Sequence, residues 1–147
     1  MYKNDSNYLR ELIRILVRNL GILDRSEASC CGTTLSQCHA IIEIGRKKEI
    51  SLNELAETLN LDNSTMSRTV NNLVSQELAI RETHPEDRRY LVIRLTGKGL
   101  EVFKTIESNM EVYYKDVFAS IPEDKREQVI ESMILLVEAV NKNKCCK

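Results

Sequence analysis

Two amphipathic segments separated by three residues constrain the fold of this chain more than any other feature of its sequence. Ser51, followed three residues later by Glu54, has the pattern of a capping box, which predicts a helix that begins there and ends near Asn60. Residues 63–74 show a second helical period, and the break at residues 60–62 is short enough for the turn of a helix-turn-helix. The apolar faces consist of Leu52, Leu55, Ala56 and Leu59 in the first segment and of Met66, Val70, Leu73 and Val74 in the second.

The outward face of the second segment is polar in an unusual way. It has short or forked hydrogen-bonding side chains and none of the carboxylates that phosphate would repel. Such side chains can reach base edges or phosphate oxygens in the major groove of DNA. With Asp62 or Asn63 as its cap, the segment is predicted to be a DNA-recognition helix; a polar surface helix without a function is the alternative. The predicted DNA contacts are Ser64, Thr65, Ser67, Arg68, Asn71 and Asn72.

A β-hairpin is predicted directly after this helix. Residues 78–83 and 90–95 are rich in β-branched and large apolar side chains, and they flank a polar stretch that contains a proline. The tip would present Arg88 and Arg89, which suit phosphate contacts or a narrow minor groove, with Asp87 as the counter-charge that orients one of them. A helix-turn-helix followed by such a hairpin is a winged helix. The alternative for the arginine pair is an ordinary solvated turn.

In their order and spacing, these features resemble the MarR-type winged-helix repressors over nearly the whole chain. The most specific part is the Asp-Arg-Arg wing followed by Leu95-Thr96-x-Lys98-Gly99. The resemblance implies a mainly α-helical fold with a small β-hairpin wing. It implies one MarR-like domain over residues 1–147, with the winged helix-turn-helix at about 34–95 and dimerisation helices at about 5–24 and 96–142. The other matching segments are Thr34-Leu35-Ser36-Gln37, Leu52-x-x-Leu55-Ala56, Ser64-x-x-Ser67-Arg68 and Glu86-Asp87-Arg88-Arg89.

The resemblance also implies a homodimer that offers two recognition helices and two wings to a pseudo-palindromic operator. The ends of the chain support pairing independently, because amphipathic helices there carry more apolar surface than a small winged helix can cover. An intramolecular bundle is the alternative to a dimer. The apolar stripes are Leu9, Leu12, Ile13, Leu16 and Leu20 near the N-terminus, Leu100, Phe103, Ile106, Met110, Tyr114 and Val117 in a helix that opens at Thr96, and Val129, Ile130, Met133, Leu136, Val137 and Val140 near the C-terminus.

The charge balance limits how the chain can bind DNA. A formal net charge of −1 argues against a protein that coats nucleic acid indiscriminately. DNA affinity must then come from a local basic surface, for which Arg68, Arg81, Arg88 and Arg89 are the candidates. No stretch of the sequence is long and apolar enough to span a membrane, and the N-terminus lacks the apolar run of a signal peptide, so a cytoplasmic protein without a membrane partner is expected.

Five clustered cysteines are a second unusual feature. Disulfides are improbable in a reducing cytosol, where clustered thiols more often bind soft metals or sense oxidants. No cofactor is required, but Cys30, Cys31 and Cys38, with His39 as a fourth ligand, could hold a thiolate-bound ion such as trivalent arsenic or zinc. In the alternative interpretation, Cys38 is a small buried apolar residue and His39 is an ordinary surface histidine. The remaining thiols are Cys145 and Cys146, in a lysine-rich tail.

An enzyme is not expected. The chain has no glycine loop that cradles phosphate, no set of serine, histidine and acid, and no Cys-x-x-Cys motif of a thiol oxidoreductase. The sequence predicts a transcriptional regulator, most simply a repressor released by an effector, with soft metals, oxidants and small phenolic or organic acids as candidate effectors. The alternative is a thiol metal-binding or buffering protein built on a winged-helix scaffold.

Overall fold

A computed structural model of the chain describes residues 5–30 and 32–144, and for residues 22–30 it describes the backbone without the side chains. The chain divides into two compact units, residues 1–107 and 108–147. The predicted fold, mainly helical with a small β wing, is confirmed. In chain order the elements are α1 (Ser6–Cys30), α2 (Leu35–Lys47), β1 (Glu49–Ser51), α3 (Leu52–Leu59), α4 (Asn63–Ser75), β2 (Ala79–Thr83), β3 (Leu91–Leu95), α5 (Gly97–Ser120), a 3-10 turn (Glu123–Lys125) and α6 (Arg126–Lys142).

The core of the first unit lies between α2, α3, α4, the sheet and the first turns of α5. Helix α2 starts with a reciprocal capping box, because the Gln37 N–H donates to Thr34 Oγ1 at 3.2 Å and the Thr34 N–H donates to Gln37 Oε1 at 3.3 Å. Gly45 allows α2 to lie against α5, since an added Cβ would stand 2.5 Å from the Phe103 ring. The side chains completely removed from solvent include Ile41, Ile44, Leu55, Met66, Val70, Leu73, Ile93 and Ile106.

The sheet has three antiparallel strands in the order β1-β3-β2. The predicted hairpin is confirmed as β2 and β3, which pair along their full five-residue length. Strand β1 is missing from the prediction, because a segment of three residues is too short to show an alternating pattern. It joins the other edge of β3 with Ile50 opposite Ile93, and both side chains are buried. The wing is therefore anchored in the core by β3, its inner strand.

One core position of α4 differs from the prediction. The sequence predicts Val74 on the buried face, but its side chain is 37 % exposed and Thr69 is buried instead. The two positions flank the arc of Val70 and Leu73 at similar angles, so helical period alone does not decide between them. The Thr69 hydroxyl donates to the Thr65 carbonyl at 3.1 Å, and this hydrogen bond satisfies the polar group that burial removes from water.

The helices near the two ends of the chain are longer or more divided than predicted. Helix α1 continues to Cys30, beyond the predicted end near residue 24. Within residues 96–142, which the sequence assigns to dimerisation helices, the 3-10 turn at Glu123–Lys125 precedes α6. Arg126 closes this turn, since its Nε donates to the Ile121 carbonyl at 3.1 Å and its guanidinium lies 5.2 Å from the centre of the Phe118 ring. Among the described residues, no helix is both long and apolar enough to cross a membrane.

Candidate nucleic-acid interface

A tight turn joins α3 to α4. Asn60 ends α3 in the left-handed conformation, with a φ of 54°, and the Leu61 N–H donates to the Ala56 carbonyl at 2.9 Å. Asp62 then caps α4, because its carboxylate accepts a hydrogen bond from the Thr65 N–H at 3.0 Å. Two short helices with a turn of this length form a helix-turn-helix, as the sequence predicts. The second of them, α4, is in the position of the recognition helix.

The outward face of α4 carries all six side chains that the sequence assigns to DNA contact. No residue of α4 is acidic, so nothing on this face repels phosphate. The buried face is fixed by Met66, Val70 and Leu73, which holds the polar face toward solvent. The side chains of Ser64, Arg68, Asn71 and Asn72 are exposed, and those of Thr65 and Ser67 are partly exposed.

Arg81 of β2 joins the wing to this helix. Its Nη2 donates to Ser67 Oγ at 3.2 Å, and its Nη1 donates to Asn71 Oδ1. The side chain is half-buried, and its Nε is buried without a hydrogen-bond partner among the described residues. The sequence places Arg81 among the candidates for a basic surface, whereas the structure directs its guanidinium toward α4. The alternation of side chains along β2 predicts this orientation of Arg81, because Arg81 is two residues from the buried Ala79 and shares its face of the sheet.

The tip of the wing presents two arginines in different states. Arg89 is held by Asp87, with Nε 3.1 Å from Oδ1 and Nη2 3.0 Å from Oδ2. The ion pair expected between Asp87 and an arginine is thus present, and Arg89 still remains open to solvent. Arg88 is also exposed, and within the described part of the chain its guanidinium makes no hydrogen bond or ion pair. Both cations are accessible to a phosphate backbone or a groove.

Two carboxylates of the interface are kept ionised by their neighbours. Hydrogen bonds from Thr65 hold the pKa of Asp62 below its ordinary value of 3.8, and the positive charge of Arg68 lowers it further. Hydrogen bonds from Arg89 lower the pKa of Asp87 in the same way. At neutral pH, Asp62 therefore places a negative charge at the N-terminus of α4, where the helix dipole favours it. Asp87 likewise remains an ionised partner for Arg89.

One side of the wing is acidic and unsuited to the DNA backbone. A groove of about 390 Å³ lies between β1, the start of α3 and the loop of the wing. Its carboxylates would repel phosphate, so DNA has to approach the wing from another side. The titratable side chains that line this groove are Glu49, Glu54, His84, Glu86, Asp87 and Tyr90.

The start of α5 is fastened to the turn between α4 and β2. The Thr96 N–H donates to the Leu78 carbonyl at 3.0 Å, and the Thr96 hydroxyl donates to the carbonyl of the residue before Leu78 at 2.6 Å. Lys98 Nζ lies 3.3 Å from the C-cap carbonyl of α4. Gly99 has to be glycine here, because a Cβ would stand 1.9 Å from the Leu78 carbonyl oxygen. The Leu-Thr-x-Lys-Gly segment therefore fixes the position of the C-terminal end of the recognition helix.

The predicted thiol site lies largely outside the described residues. The side chain of Cys30 and the whole of Cys31 are among the parts not described, as are Cys145 and Cys146. Cys38 is buried in α2, with 3 % of its surface exposed, and His39 beside it is partly exposed. Within the described residues, no three cysteine, histidine or acidic side chains are grouped in a way that could hold a metal ion.

Helix-turn-helix, anchored hairpin and basic wing tip together define a winged helix-turn-helix of the DNA-binding class. Residues 32–89, which contain the helix-turn-helix and the wing tip, match the family model described as the MarR family. The resemblance to MarR-type DNA-binding regulators seen in the sequence is confirmed over this segment. The relatives that the chain matches are named transcriptional regulators and not enzymes, in agreement with the sequence.

Individual relatives agree with this assignment. The chain is 27% identical over 123 residues to the HTH-type transcriptional regulator BilQ of Clostridium symbiosum, covering 84% of this chain and 85% of BilQ. Its fold is similar to that of a MarR transcriptional regulator from Methanosarcina mazei, with a TM-score of 0.79, 21% identity and coverage of 93% of this chain and 99% of that one. It is also similar in fold to Streptococcus pneumoniae FabT, solved in complex with DNA, with a TM-score of 0.84, 17% identity and coverage of 94% and 99%.

Proposed function

We propose that this regulator binds a pseudo-palindromic operator as a homodimer and represses transcription. Each subunit places α4 in a major groove and the tip of its wing in the neighbouring minor groove. The observation that carries the proposal is the polar face of α4, which combines Arg68 with hydrogen-bonding side chains and contains no carboxylate. The fold similarity to FabT, which was solved with DNA, supports duplex DNA as the partner.

The side chains divide into two groups by what they contact. The side chains on α4, Arg68 included, read base edges, whereas the arginines of the wing contact the minor groove and phosphate. At the wing, Arg88 is free to enter the minor groove, and Arg89 is oriented by Asp87. The base-reading group consists of Ser64, Thr65, Ser67, Arg68, Asn71 and Asn72.

Uncovered apolar surface in each unit supports a dimer. In the first unit, α1 exposes several large apolar side chains that a solvated helix would not carry together. In the second unit, the same is true of α6. A two-fold symmetric pair of subunits would bury such surface and would match the symmetry of a palindromic operator. The exposed side chains are Leu9, Leu12, Ile15, Leu16 and Val17 in α1 and Ile130, Met133, Ile134, Leu135, Val137 and Val140 in α6.

Hydroxyl-radical footprinting tests this function directly. The probe is a duplex enriched by the protein from a pool of random sequences. We expect two protected half-sites related by two-fold symmetry and centred about 10 base pairs, or one helical turn, apart. Arg68→Ala should abolish the footprint at protein concentrations at which the wild type protects the site. Its melting curve should stay the same as that of the wild type. A single asymmetric protected patch, or uniform protection of any duplex, would contradict the proposal.

The effector is proposed to act on thiols. The support is the clustering of Cys30, Cys31 and Cys38, with His39 next to the last of them. Because Cys38 is buried, a soft ion or oxidant would reach it only if the start of α2 opens, and such a movement would be transmitted to the helices packed on α2. A small phenolic or organic acid is the other candidate effector.

Release of the labelled operator distinguishes the two kinds of effector. The reduced protein bound to its operator is titrated with arsenite, zinc or peroxide, and Cys38→Ser serves as the comparison. Release by one of these agents that is lost in the variant supports a thiol effector. An operator complex indifferent to all three would turn the search toward an organic ligand. Specific operator binding would also exclude the alternative of a thiol-buffering protein on an unused scaffold.

A further inference from the structure

We propose that Arg81 is a positioning residue that sets the base preference of the recognition helix. It holds Ser67 and Asn71 so that both present hydrogen-bond donors to the DNA and favour a guanine edge. The inference rests on the proposed function, because it requires α4 to enter the major groove. It concerns what α4 recognises there and assigns a role to a residue of the wing strand.

The geometry ties one guanidinium to two side chains one turn apart on α4. Arg81 Nη2 lies 3.2 Å from Ser67 Oγ, and Arg81 Nη1 donates to Asn71 Oδ1. Residues four apart on a helix lie on the same face, so the planar fork of an arginine can engage both at once. Lysine, with a single ammonium group, lacks this fork.

The chemistry of the guanidinium fixes the polarity of its two partners. An arginine has five N–H donors and no acceptor, so any atom that hydrogen-bonds to it must be an acceptor. The Asn71 amide therefore turns its oxygen toward Arg81 and its NH₂ group away from it. Ser67 likewise accepts through its oxygen, and its own O–H remains to donate elsewhere. Arg81 thus makes both side chains donors toward the exposed face of α4.

Burial keeps Arg81 in this role. The side chain is half-buried between β2 and α4, and its Nε has no hydrogen-bond partner among the described residues. Burying a donor without a partner is unfavourable, and the two hydrogen bonds to α4 are what offset it. An arginine turned toward the helix in this way is not extended toward phosphate.

Donors on the protein select acceptors on the base. In the major groove guanine presents two acceptors, N7 and O6, whereas adenine presents one acceptor and one donor. The bidentate pairing of asparagine with adenine uses the amide oxygen, which is the atom that Arg81 engages. We therefore expect the base pair under Asn71 to be read as G·C rather than A·T.

The test measures base preference and salt dependence together. The probes are the duplex enriched by the wild-type protein and variants of it with each base pair exchanged in turn, titrated by fluorescence anisotropy with the full-length protein. For Arg81→Met, which keeps an aliphatic stem, we expect the preference for G·C at one position of each half-site to fall by about fivefold or more. The salt slope of binding should stay the same, because no phosphate contact is lost.

Two further variants make the result specific. In an Asn71→Ala background, Arg81→Met should have no additional effect on base preference, because Arg81 acts through Asn71. Arg94→Met is the matched control, since Arg94 lies on the adjacent strand and pairs with Glu82 instead of α4. It should leave the base preference unchanged. Melting curves of all variants establish that they fold. If Arg81→Met does not fold, Arg81→Lys replaces it, because lysine keeps the charge without the fork.

Three results would overturn the inference. One is a base preference that survives the loss of Arg81. Another is that Arg81→Met reduces the salt slope of binding by about one and that its effect on binding adds to the effect of Asn71→Ala. That result would make Arg81 a phosphate contact. The third is a wild-type protein that enriches no duplex, which would overturn the proposed function and this inference with it.

Discussion

Asp87 holds Arg89 by two parallel hydrogen bonds, at 3.1 Å from Nε and 3.0 Å from Nη2, while Arg89 stays 88% exposed. An exposed ion pair of this kind contributes little to stability. Its effect is instead to give a long and flexible side chain one orientation before any ligand arrives. A fixed arginine at the tip of a wing loses less conformational entropy when it contacts DNA.

Removal of Asp87 should therefore weaken DNA binding even though it makes the wing more positive. For Asp87→Ala we expect operator affinity to fall about three- to tenfold, as for the loss of one ordered side chain. Glu86→Gln is the matched control, because it also removes one negative charge from the wing but does not release Arg89. It should bind as tightly as the wild type or more tightly. If both variants tighten binding equally, the net charge of the wing alone governs its contribution to operator affinity.

The acid titration of two aspartates should follow their hydrogen bonds. Because the pKa values of Asp62 and Asp87 are lowered from 3.8 in the folded protein, each stabilises the fold above its unfolded pKa of about 3.8. This stabilisation is lost as the pH falls from about 3.8 through the lower folded pKa. Side-chain NMR titration should give midpoints below 3.8 for both residues. In Arg89→Gln only the midpoint of Asp87 should rise, and an unchanged Asp87 midpoint would show that the ion pair does not form in solution.

Gly99 and Gly97 should respond in opposite ways to a methyl group. Gly99→Ala would place a Cβ 1.9 Å from the Leu78 carbonyl oxygen, whereas a Cβ at Gly97 has no atom within 4 Å. We expect Gly99→Ala to lower the free energy of unfolding by about 2–3 kcal/mol. Gly97→Ala should leave it unchanged or raise it by about 0.5 kcal/mol. Urea unfolding measures both, and equal stabilities would mean that α5 does not lie against the Leu78 carbonyl.

Charge placed on the apolar face of α6 should separate the subunits. Ile134 is 53% exposed in the single chain, and in the proposed dimer Ile134→Asp would bury a carboxylate among apolar side chains. We expect the dissociation constant of the dimer to rise by about tenfold or more in analytical ultracentrifugation. Ser132→Asp is the control, because it adds the same charge about 200° around the helix. An Ile134→Asp protein as dimeric as the wild type would place the interface elsewhere.

Local signals predicted the parts of the fold that depend on neighbouring residues. Ser51 accepts from the Glu54 N–H at 3.1 Å and α3 ends at its C-cap Asn60, as predicted, and Asp62 is the one of the two predicted caps that α4 uses. These features follow from side chains that hydrogen-bond to backbone a few residues away, so their signal is local. The hairpin is similar, because its alternating strands flank a short polar loop.

Contacts between residues far apart in the sequence could not be predicted from such local signals. The contact from Arg81 to Asn71 depends on the angle at which β2 crosses α4, and no spacing in the sequence encodes it. The same applies to Gly99, whose close approach to Leu78 becomes visible only when α5 is placed on the turn after α4. The burial of Thr69 where the sequence predicts Val74 has a different origin. The Thr69 hydroxyl is satisfied by a hydrogen bond inside its own helix, so its polarity does not prevent burial.

Affinity and salt dependence measured together test the DNA-binding face most directly. The wild type, Arg68→Ala and Arg88→Ala are titrated by fluorescence anisotropy against the enriched duplex and a scrambled duplex over a range of salt concentrations. We expect the wild type to bind the enriched duplex at least about a thousandfold more tightly than the scrambled one, with a steep salt slope. Arg68→Ala should lose most of that ratio, and Arg88→Ala should weaken both duplexes alike. Equal, weak binding of both duplexes by the wild type would contradict the assignment of α4 and the wing as a sequence-reading surface.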